Sequence, residues 1–181
     1  VRYTKNDPLT DPQDWIQTIS RAVQEQCERT HFRLPKIVIE PGRWLAARAG
    51  VAIYRIGSRK KTPDGKHILA VDGGMSDNPR HALYQAAYSA MILNKVYAKN
   101  LVPTTVVGKF CESGDVLIDP VDLPEAGRDD LLIIPVSGAY QLSMASNYNL
   151  APRPAVLWLE PGGGIELLQR RENSQESSWW V

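Results

Sequence analysis

Short β-type segments separated by turn-forming residues fill the chain from residue 51 to residue 168, and this alternation limits the possible folds more than any other feature. Turn signals such as Pro63-Asp64-Gly65, Asp72-Gly73-Gly74 and Pro161-Gly162-Gly163-Gly164 stand between the segments. The predicted strands cover residues 51–56, 67–71, 91–97, 104–107, 116–118, 131–136, 155–159 and 165–168, and a short helix is predicted around residues 79–90. Many short strands at this spacing are typical of an all-β barrel or sandwich, so we predict a mainly β fold.

The N-terminal part of the chain follows a different pattern. Residues 11–30 predict an amphipathic helix with Asp11 as N-cap, Pro12 at the first helical position and Cys27 on the buried apolar face. The continuous apolar run Lys36-Ile37-Val38-Ile39 is typical of a strand buried on both faces of a parallel sheet. We therefore predict that residues 1–43 are the last helix and strand of an α/β barrel, that residues 44–168 form a β-domain, and that residues 169–181 form a polar tail.

Composition and charge argue against several classes of protein. The net charge is +1, without the basic excess typical of proteins that bind nucleic acids or membrane surfaces. No apolar run approaches the roughly 20 residues of a membrane span, and Cys27 and Cys111 form neither a disulfide framework nor a zinc motif. We expect a cytoplasmic protein without a signal peptide or a bound metal. Because the chain begins at Val1 without Met, we also expect a fragment, a processed chain or a trimmed chain.

Two stretches place an arginine where it can meet an anion. Glu40-Pro41-Gly42-Arg43 follows the predicted buried strand, and the carboxyl ends of barrel strands hold active sites. Gly42 lets backbone N–H groups approach an anion, and Arg43 can bind a phosphate or carboxylate through two hydrogen bonds. Farther along, Arg80 and Tyr84 are four residues apart and share a helix face. For the first stretch the alternative is an ordinary turn with a surface salt bridge, which the tetrapeptide taken alone favours. For the second it is a loop followed by a capped helix with an Arg–Tyr stacking pair.

Two further stretches carry reactive or polar side chains. In Cys111-Glu112-Ser113-Gly114-Asp115 the cysteine lies among acidic residues, away from the apolar interior that cysteine prefers. Such a thiol suits an acid, a nucleophile or a metal ligand, and an incidental loop cysteine is the alternative. The stretch Ser137-Gly138-Ala139-Tyr140, with residues 143–149 after it, suits a polar pocket of hydroxyl and amide groups; a long surface loop is the alternative.

Taken in order along the chain, these stretches resemble one family, the alanine-racemase-like pyridoxal-phosphate decarboxylases. Its members include decarboxylases of ornithine, arginine and carboxynorspermidine. Within the family, Val71-Asp72-Gly73-Gly74-Met75, Cys111-Glu112-Ser113-Gly114-Asp115 and Gly138-Ala139-Tyr140 with the following Ser146-Asn147-Tyr148-Asn149 are most similar to the diaminopimelate decarboxylases. The resemblance extends from about residue 36 to residue 160.

The resemblance implies an enzyme with an N-terminal α/β barrel and a C-terminal β-domain, which converts meso-2,6-diaminopimelate to L-lysine and CO2. Its cofactor is pyridoxal 5'-phosphate. The Schiff-base lysine and the Gly-rich phosphate loop belong to an earlier part of the family's sequence and have no match in this chain. We therefore expect the isolated chain to be inactive and to need the missing barrel half. A homodimer with its site at the subunit interface is also implied.

The resemblance assigns roles toward the cofactor and the reacting carbon. Glu40, Gly42 and Arg43 would contact the cofactor, with backbone groups of this turn at its phosphate. Tyr140 would contact the phosphate and the substrate. Cys111 would be the catalytic proton donor.

It also assigns roles toward the far end of the substrate. Arg43, Arg80 and Tyr84 would bind the distal carboxylate, and Glu112 would bind the distal ammonium group. Two alternatives stay open: a related decarboxylase acting on arginine or carboxynorspermidine, and a non-catalytic β-domain that only dimerises or regulates.

Overall fold

The computed structural model describes residues 1–173, in which β-strands dominate. The helices are α1 (Pro12–Thr30), α2 (Gly42–Ala46), α3 (Arg80–Tyr84) and α4 (Gln141–Met144). The strands are β1 (Ala52–Lys61), β2 (His67–Val71), β3 (Met91–Ile92), β4 (Leu101–Val107), β5 (Val116–Pro124), β6 (Leu131–Ile134), β7 (Val156–Leu159) and β8 (Ile165–Gln169). Residues 174–181 of the predicted polar tail lie outside the described residues.

Six strands form one sheet in the order β3-β6-β1-β2-β4-β5. Neighbouring strands are antiparallel except β2 and β4, which pair in parallel with His67 opposite Thr104. The two edge strands, β3 and β5, approach each other, so the sheet is nearly closed into a barrel. The strands β7 and β8 form a separate hairpin around the glycine-rich turn. The prediction of a mainly β, barrel-like fold is therefore confirmed.

The core lies inside this sheet because its strands alternate inward and outward residues. In β1 the buried residues are Tyr54 and Ile56, and in β6 they are Leu132 and Ile134. Ile92, Val106, Leu117 and Leu123 complete the set of fully buried aliphatic side chains. Burying each such side chain contributes about 1.5–3 kcal/mol, so this core is a main source of the stability of the sheet.

The crossover between the parallel strands β2 and β4 differs from the sequence prediction. The helix predicted over residues 79–90 is wrong in length, since α3 has five residues and ends where Gln85 adopts a left-handed conformation with φ of 52°. The N–H of Gln85 reaches the carbonyl groups of Arg80 and His81, which closes the helix end. The strand predicted over residues 91–97 is also shorter, because a 3-10 turn at Leu93–Lys95 follows β3 directly.

The helix α1 forms as predicted, and the Asp11 side chain accepts the N–H of Gln13 at 2.9 Å. Its apolar face, however, is uncovered among residues 1–173: Ile16 is 50% exposed, and Cys27 is only partly buried rather than buried. The strand predicted at residues 36–39 is wrong, since these residues join no sheet and Val38 is 76% exposed. A strand buried on both faces needs neighbouring strands, and the described residues supply none. The domain boundary at residue 43 stays a prediction.

Candidate functional site

The structure brings several of the sequence-predicted residues into two groups. The first group joins the predicted Arg43, Arg80 and Tyr140 to two further tyrosines, Tyr3 and Tyr88, and we name it the arginine–tyrosine cluster. The second group is the cysteine loop, residues 108–115 between β4 and β5. The cysteine loop follows β4, and Arg80 and Tyr140 lie in the segments that follow β2 and β6, where loops are free to present side chains.

Arg80 is the centre of the arginine–tyrosine cluster. It is the first residue of α3 and only 6% exposed. Its Nη1 atom donates to the hydroxyl oxygens of Tyr3 and Tyr88, each at 3.0 Å. The guanidinium carbon also lies 5.4 Å, 6.0 Å and 5.7 Å from the ring centroids of Tyr3, Tyr88 and Tyr140. Aromatic rings at these distances stabilise a cation, so the chain builds a specific place for this charge.

No carboxylate among residues 1–173 lies within ion-pair distance of Arg80. A cation with so little exposure normally has an anionic partner, because removing it from water is costly. Its Nε and Nη2 atoms make no hydrogen bond to the described residues, yet they are not enclosed. These donors are therefore open to an anion from outside the described chain.

Arg43 reaches the same cluster through Tyr140. Its guanidinium carbon lies 5.1 Å from the centroid of the Tyr140 ring, so this ring contacts both arginines. The two segments meet because Gly50 and Gly138 lie against each other: a Cβ on Gly138 would come 2.1 Å from the carbonyl oxygen of Ala46. The N–H of Gly138 donates to Ala47 at 2.9 Å and closes this contact.

Tyr140 has a left-handed backbone with φ of 71°, at the residue that precedes α4. Residues with a Cβ rarely adopt this conformation, which costs about 1–2 kcal/mol. The buried neighbours Ser137, Ala139 and Gln141 hold it in place. The alternative of a long surface loop is therefore wrong for residues 137–141, although the Tyr140 side chain is 43% exposed.

The remaining predicted binding residues are exposed. Glu40 and Gly42 lie at the start of α2, and a Cβ on Gly42 would meet no atom within 4 Å. Tyr84 is 64% exposed and is not among the tyrosines that contact Arg80, although both belong to α3. The two residues belong to one helix, as predicted, but their side chains do not contact each other.

The buried side chain of Asp115 holds the backbone of the cysteine loop in place. It is 2% exposed, and its carboxylate accepts the N–H groups of Met75 at 2.6 Å and Phe110 at 2.8 Å. The carboxylate also occupies the space beside two glycines, since a Cβ on Gly74 or Gly108 would come within 2.7 Å or 2.2 Å of its oxygens. Asp115 therefore fixes the loop against the Gly73-Gly74-Met75 turn that follows β2.

Cys111 and Glu112 project from this fixed loop and are exposed. The Tyr148 hydroxyl donates to Glu112 Oε2 at 3.3 Å, and the Tyr148 ring packs edge-on against Phe110 at 5.3 Å. Burial, followed by the charge of Glu112, raises the pKa of Tyr148, so this hydroxyl stays protonated at neutral pH. The Glu112 side chain thus has a hydrogen-bond partner in the chain and remains exposed.

A buried pair supports the turn after β2. The Tyr54 hydroxyl donates to Asp77 Oδ2 at 2.6 Å, and Asp77 Oδ1 accepts the N–H of Gly74 at 2.9 Å. Burial raises the pKa of Tyr54 well above its ordinary value and also raises the pKa of Asp77. The pair thus links the sheet core to the turn against which Asp115 holds the cysteine loop.

Sequence reasoning did not assign roles to Tyr3, Tyr88 or Asp115. Tyr3 and Asp115 lie far along the chain from the groups they bind: Tyr3 is 77 positions from Arg80, and Asp115 is 40 positions from Met75. The one signal in the sequence was local: Asp115 ends the Cys-Glu-Ser-Gly-Asp motif, whose glycine and aspartate have no evident catalytic task.

The chain matches a family model described as "Pyridoxal-dependent decarboxylase, C-terminal sheet domain" over residues 9–138. It is 44% identical over 178 residues to the diaminopimelate decarboxylase of Bacillus methanolicus, covering 98% of this chain and 41% of that protein. The diaminopimelate decarboxylase of Bacillus subtilis is 44% identical over 97% of this chain and 40% of its own length.

Solved structures give the same result. The diaminopimelate decarboxylase of Helicobacter pylori complexed with L-lysine superposes with a TM-score of 0.80 and 32% identity, covering 97% of this chain and 40% of that one. A lysine/ornithine decarboxylase of Vibrio vulnificus complexed with cadaverine has a TM-score of 0.66 at 22% identity, over 83% of this chain and 38% of that one, which shows a shared fold. The chain thus spans about two fifths of the length of the diaminopimelate decarboxylases it matches.

Proposed function

Because the chain belongs to the pyridoxal-dependent decarboxylases through their C-terminal sheet domain, we propose that it is the C-terminal part of a diaminopimelate decarboxylase. The complete enzyme converts meso-2,6-diaminopimelate to L-lysine and CO2 with pyridoxal 5'-phosphate. The observation that carries this proposal is Arg80, a nearly buried cation with no carboxylate partner among residues 1–173. The substrate's distal carboxylate supplies the missing charge.

Charges of both signs support this substrate. Diaminopimelate has a second amino-acid centre, so a specific site needs a cation for the distal carboxylate and an anion for the distal ammonium group. Arg80 and Arg43 supply the cations, and Glu112 supplies the exposed carboxylate. Tyr84 ends the helix α3 that begins with Arg80, and it is exposed, so its hydroxyl remains available to the substrate.

The residues present fit the phosphate end of the cofactor. Gly42 leaves open space next to the first backbone N–H groups of α2, and Arg43 adds a positive charge there. The Tyr140 hydroxyl makes no hydrogen bond to residues 1–173 and lies on the ring that Arg43 contacts, so it can donate to a phosphate oxygen. Glu40, one residue before Pro41, completes this turn. When bound, pyridoxal phosphate supplies the electron sink that makes loss of CO2 possible.

Cys111 supplies the proton that replaces the lost carboxylate. Its thiol is exposed on a loop whose backbone Asp115 fixes, so it can be aimed at a carbon atom outside this chain. Since the loop projects outward, we propose that it completes the site of a second copy in a homodimer. The free thiols of Cys27 and Cys111 support a reducing, cytoplasmic location.

A hybrid enzyme tests the proposal. The chain would replace the matching C-terminal segment of the Bacillus methanolicus enzyme, and CO2 and L-lysine would be measured with meso-diaminopimelate. We expect turnover of this substrate to exceed that of arginine, ornithine and carboxynorspermidine. Faster turnover of any of these amino acids would overturn the substrate assignment.

The isolated chain provides the matched control. Mixed with pyridoxal phosphate and meso-diaminopimelate, it should release no more CO2 than the protein-free cofactor, because the relatives' N-terminal part is absent. Sedimentation of the chain with and without that part tests the alternative of a purely dimerising domain. A hybrid that dimerises but releases no CO2 would favour that alternative.

A further inference from the structure

We propose that Tyr3 and Tyr88 are positioning residues that hold Arg80 by one nitrogen, so that its opposite edge binds the substrate carboxylate. This inference rests on the proposed function, because it concerns how the proposed substrate-binding arginine is oriented. Neither hydroxyl group belongs to a sequence motif discussed above, and the inference gives both of them a function.

The hydrogen bonds divide the guanidinium into two edges. The Nη1 atom has two hydrogens, and the hydroxyl oxygens of Tyr3 and Tyr88 accept both at 3.0 Å. The Nε–H and the two Nη2–H groups have no acceptor among residues 1–173. Because Nε and Nη2 lie on one side of the planar group, they can bind a carboxylate through two parallel hydrogen bonds.

Neutral acceptors suit this task better than a carboxylate would. Burial raises the pKa of Tyr88, against the opposing effect of the Arg80 charge, so its hydroxyl stays neutral at physiological pH. A hydroxyl fixes the direction of the guanidinium without cancelling its charge. The full positive charge of Arg80 therefore remains available to the substrate.

Tyr3 is itself held firmly enough to orient a partner. Its ring packs edge-on against Tyr88 with centroids 5.2 Å apart and planes at 88°. Its carbonyl accepts the Ser89 hydroxyl at 2.9 Å, and its N–H donates to Asp7 Oδ2 at 2.8 Å. The N-terminal segment is thus fastened to the residues that follow α3, with the hydroxyl directed at Arg80.

The test uses Tyr3→Phe and Tyr88→Phe in the hybrid enzyme. Each change keeps the ring and removes only the hydroxyl. We expect KM for meso-diaminopimelate to rise about tenfold in each variant, as loss of a hydrogen bond to a charged group predicts. The turnover number should stay within about twofold, because Arg80 binds the substrate far from the reacting carbon.

A ligand without a carboxylate separates orientation of Arg80 from general damage. Inhibition by 1,5-diaminopentane, which has no carboxylate for Arg80 to bind, should be unchanged in both variants. Tyr97→Phe is the matched control, because Tyr97 is 93% exposed and has no role in the cluster. Tyr3 is only partly buried, so Tyr3→Phe keeps the test valid if Tyr88→Phe lowers the yield of folded protein.

Each outcome decides something. An active hybrid in which neither variant raises KM, or in which both ligands lose affinity equally, overturns this inference and leaves the proposed function intact. A hybrid with unaltered sequence that does not decarboxylate meso-diaminopimelate overturns the proposed function and, with it, this inference.

Discussion

The arginine–tyrosine cluster and the cysteine loop differ in how far this chain completes them. Arg80 is 6% exposed and surrounded by three tyrosines of the same chain, whereas Cys111 and Glu112 are exposed at the tip of a loop. Both regions rest on the same turn after β2, through Asp115 and the short path to α3. The comparison indicates that this chain encloses Arg80 by itself but leaves Cys111 and Glu112 uncovered. Substitutions in the two regions should therefore have different effects.

The largest effect is expected for Cys111→Ala in the hybrid enzyme. Loss of a general acid typically lowers turnover by a factor of about 10² to 10⁴. Because the side chain is exposed, the midpoint of thermal unfolding should not change. Steady-state kinetics and a melting curve of the same preparation measure both quantities. An unchanged turnover number would make the thiol structural and would remove the main contrast between the two regions.

Arg80→Met and Glu112→Gln should each weaken binding of meso-diaminopimelate. Each change leaves one charge of the substrate unpaired, at a cost of about 2–5 kcal/mol in a dry site. Only Arg80→Met should also lower stability, because only Arg80 is buried. The Michaelis constant is the measurement, and Glu166→Gln on the exposed face of β8 is the control. If neither variant raises the Michaelis constant, the distal centre is bound elsewhere.

Asp115→Ala tests whether the exposed loop depends on a buried support. The change leaves the N–H groups of Met75 and Phe110 without an acceptor, which costs about 1–3 kcal/mol. Urea denaturation of the 181-residue chain measures this loss, with Asp122→Ala at an exposed position of β5 as control. Equal stability of both variants would show that the loop keeps its shape without the carboxylate.

The smallest expected effect is a change in the pH dependence of stability at Asp130, which belongs to neither region. Hydrogen bonds from Lys95 at 2.8 Å and Gly127 at 2.8 Å lower the pKa of Asp130 to about 2 from its ordinary 3.8. A lowered folded-state pKa stabilises the fold above the unfolded value, and this contribution is lost as pH falls from about 4 toward 2. We expect Asp130→Asn to remove about 0.5 kcal/mol of the stability difference between pH 6 and pH 3, after solvent screening.

Urea midpoints of the chain at the two pH values measure this contribution. An identical pH dependence in Asp130→Asn and the unaltered chain would assign the acid sensitivity to other carboxylates. Asp77 contributes in the opposite direction, because burial raises its pKa. Its ionisation therefore costs stability as pH rises above the ordinary value near 3.8.

Local sequence patterns predicted the elements whose structure has local causes. The Asp11 cap and Pro12 fix the start of α1, and the turn signals at residues 63–65 and 72–74 bound β2, whose predicted and observed limits agree. The pattern failed where tertiary structure decides. Residues 36–39 have the composition of a buried strand but have no neighbouring strand among residues 1–173. Gln85 ends α3 in a left-handed conformation, which a glutamine in the sequence does not predict.

The candidate site was predicted in part for the same reason. Arg43, Arg80, Cys111 and Glu112 stand in short motifs that a family resemblance can identify. Tyr3 joins Arg80 only because the N-terminal segment folds back over the crossover. Likewise, the close approach of Gly50 and Gly138, which brings Arg43 to Tyr140, depends on packing between distant segments. No periodicity or spacing in the sequence encodes such contacts.

The parallel pairing of β2 and β4 has a consequence for the order of folding. Antiparallel hairpins such as β1–β2, β4–β5 and β7–β8 close over short stretches of chain, but β4 can join β2 only after residues 72–100 have crossed over the sheet. The entropy lost on closing such a long loop must be met before its contacts form, so we expect this pairing to be late. The crossover carries Arg80 and Tyr88, so a newly made chain would bring these two residues together only when most of its sheet is already formed.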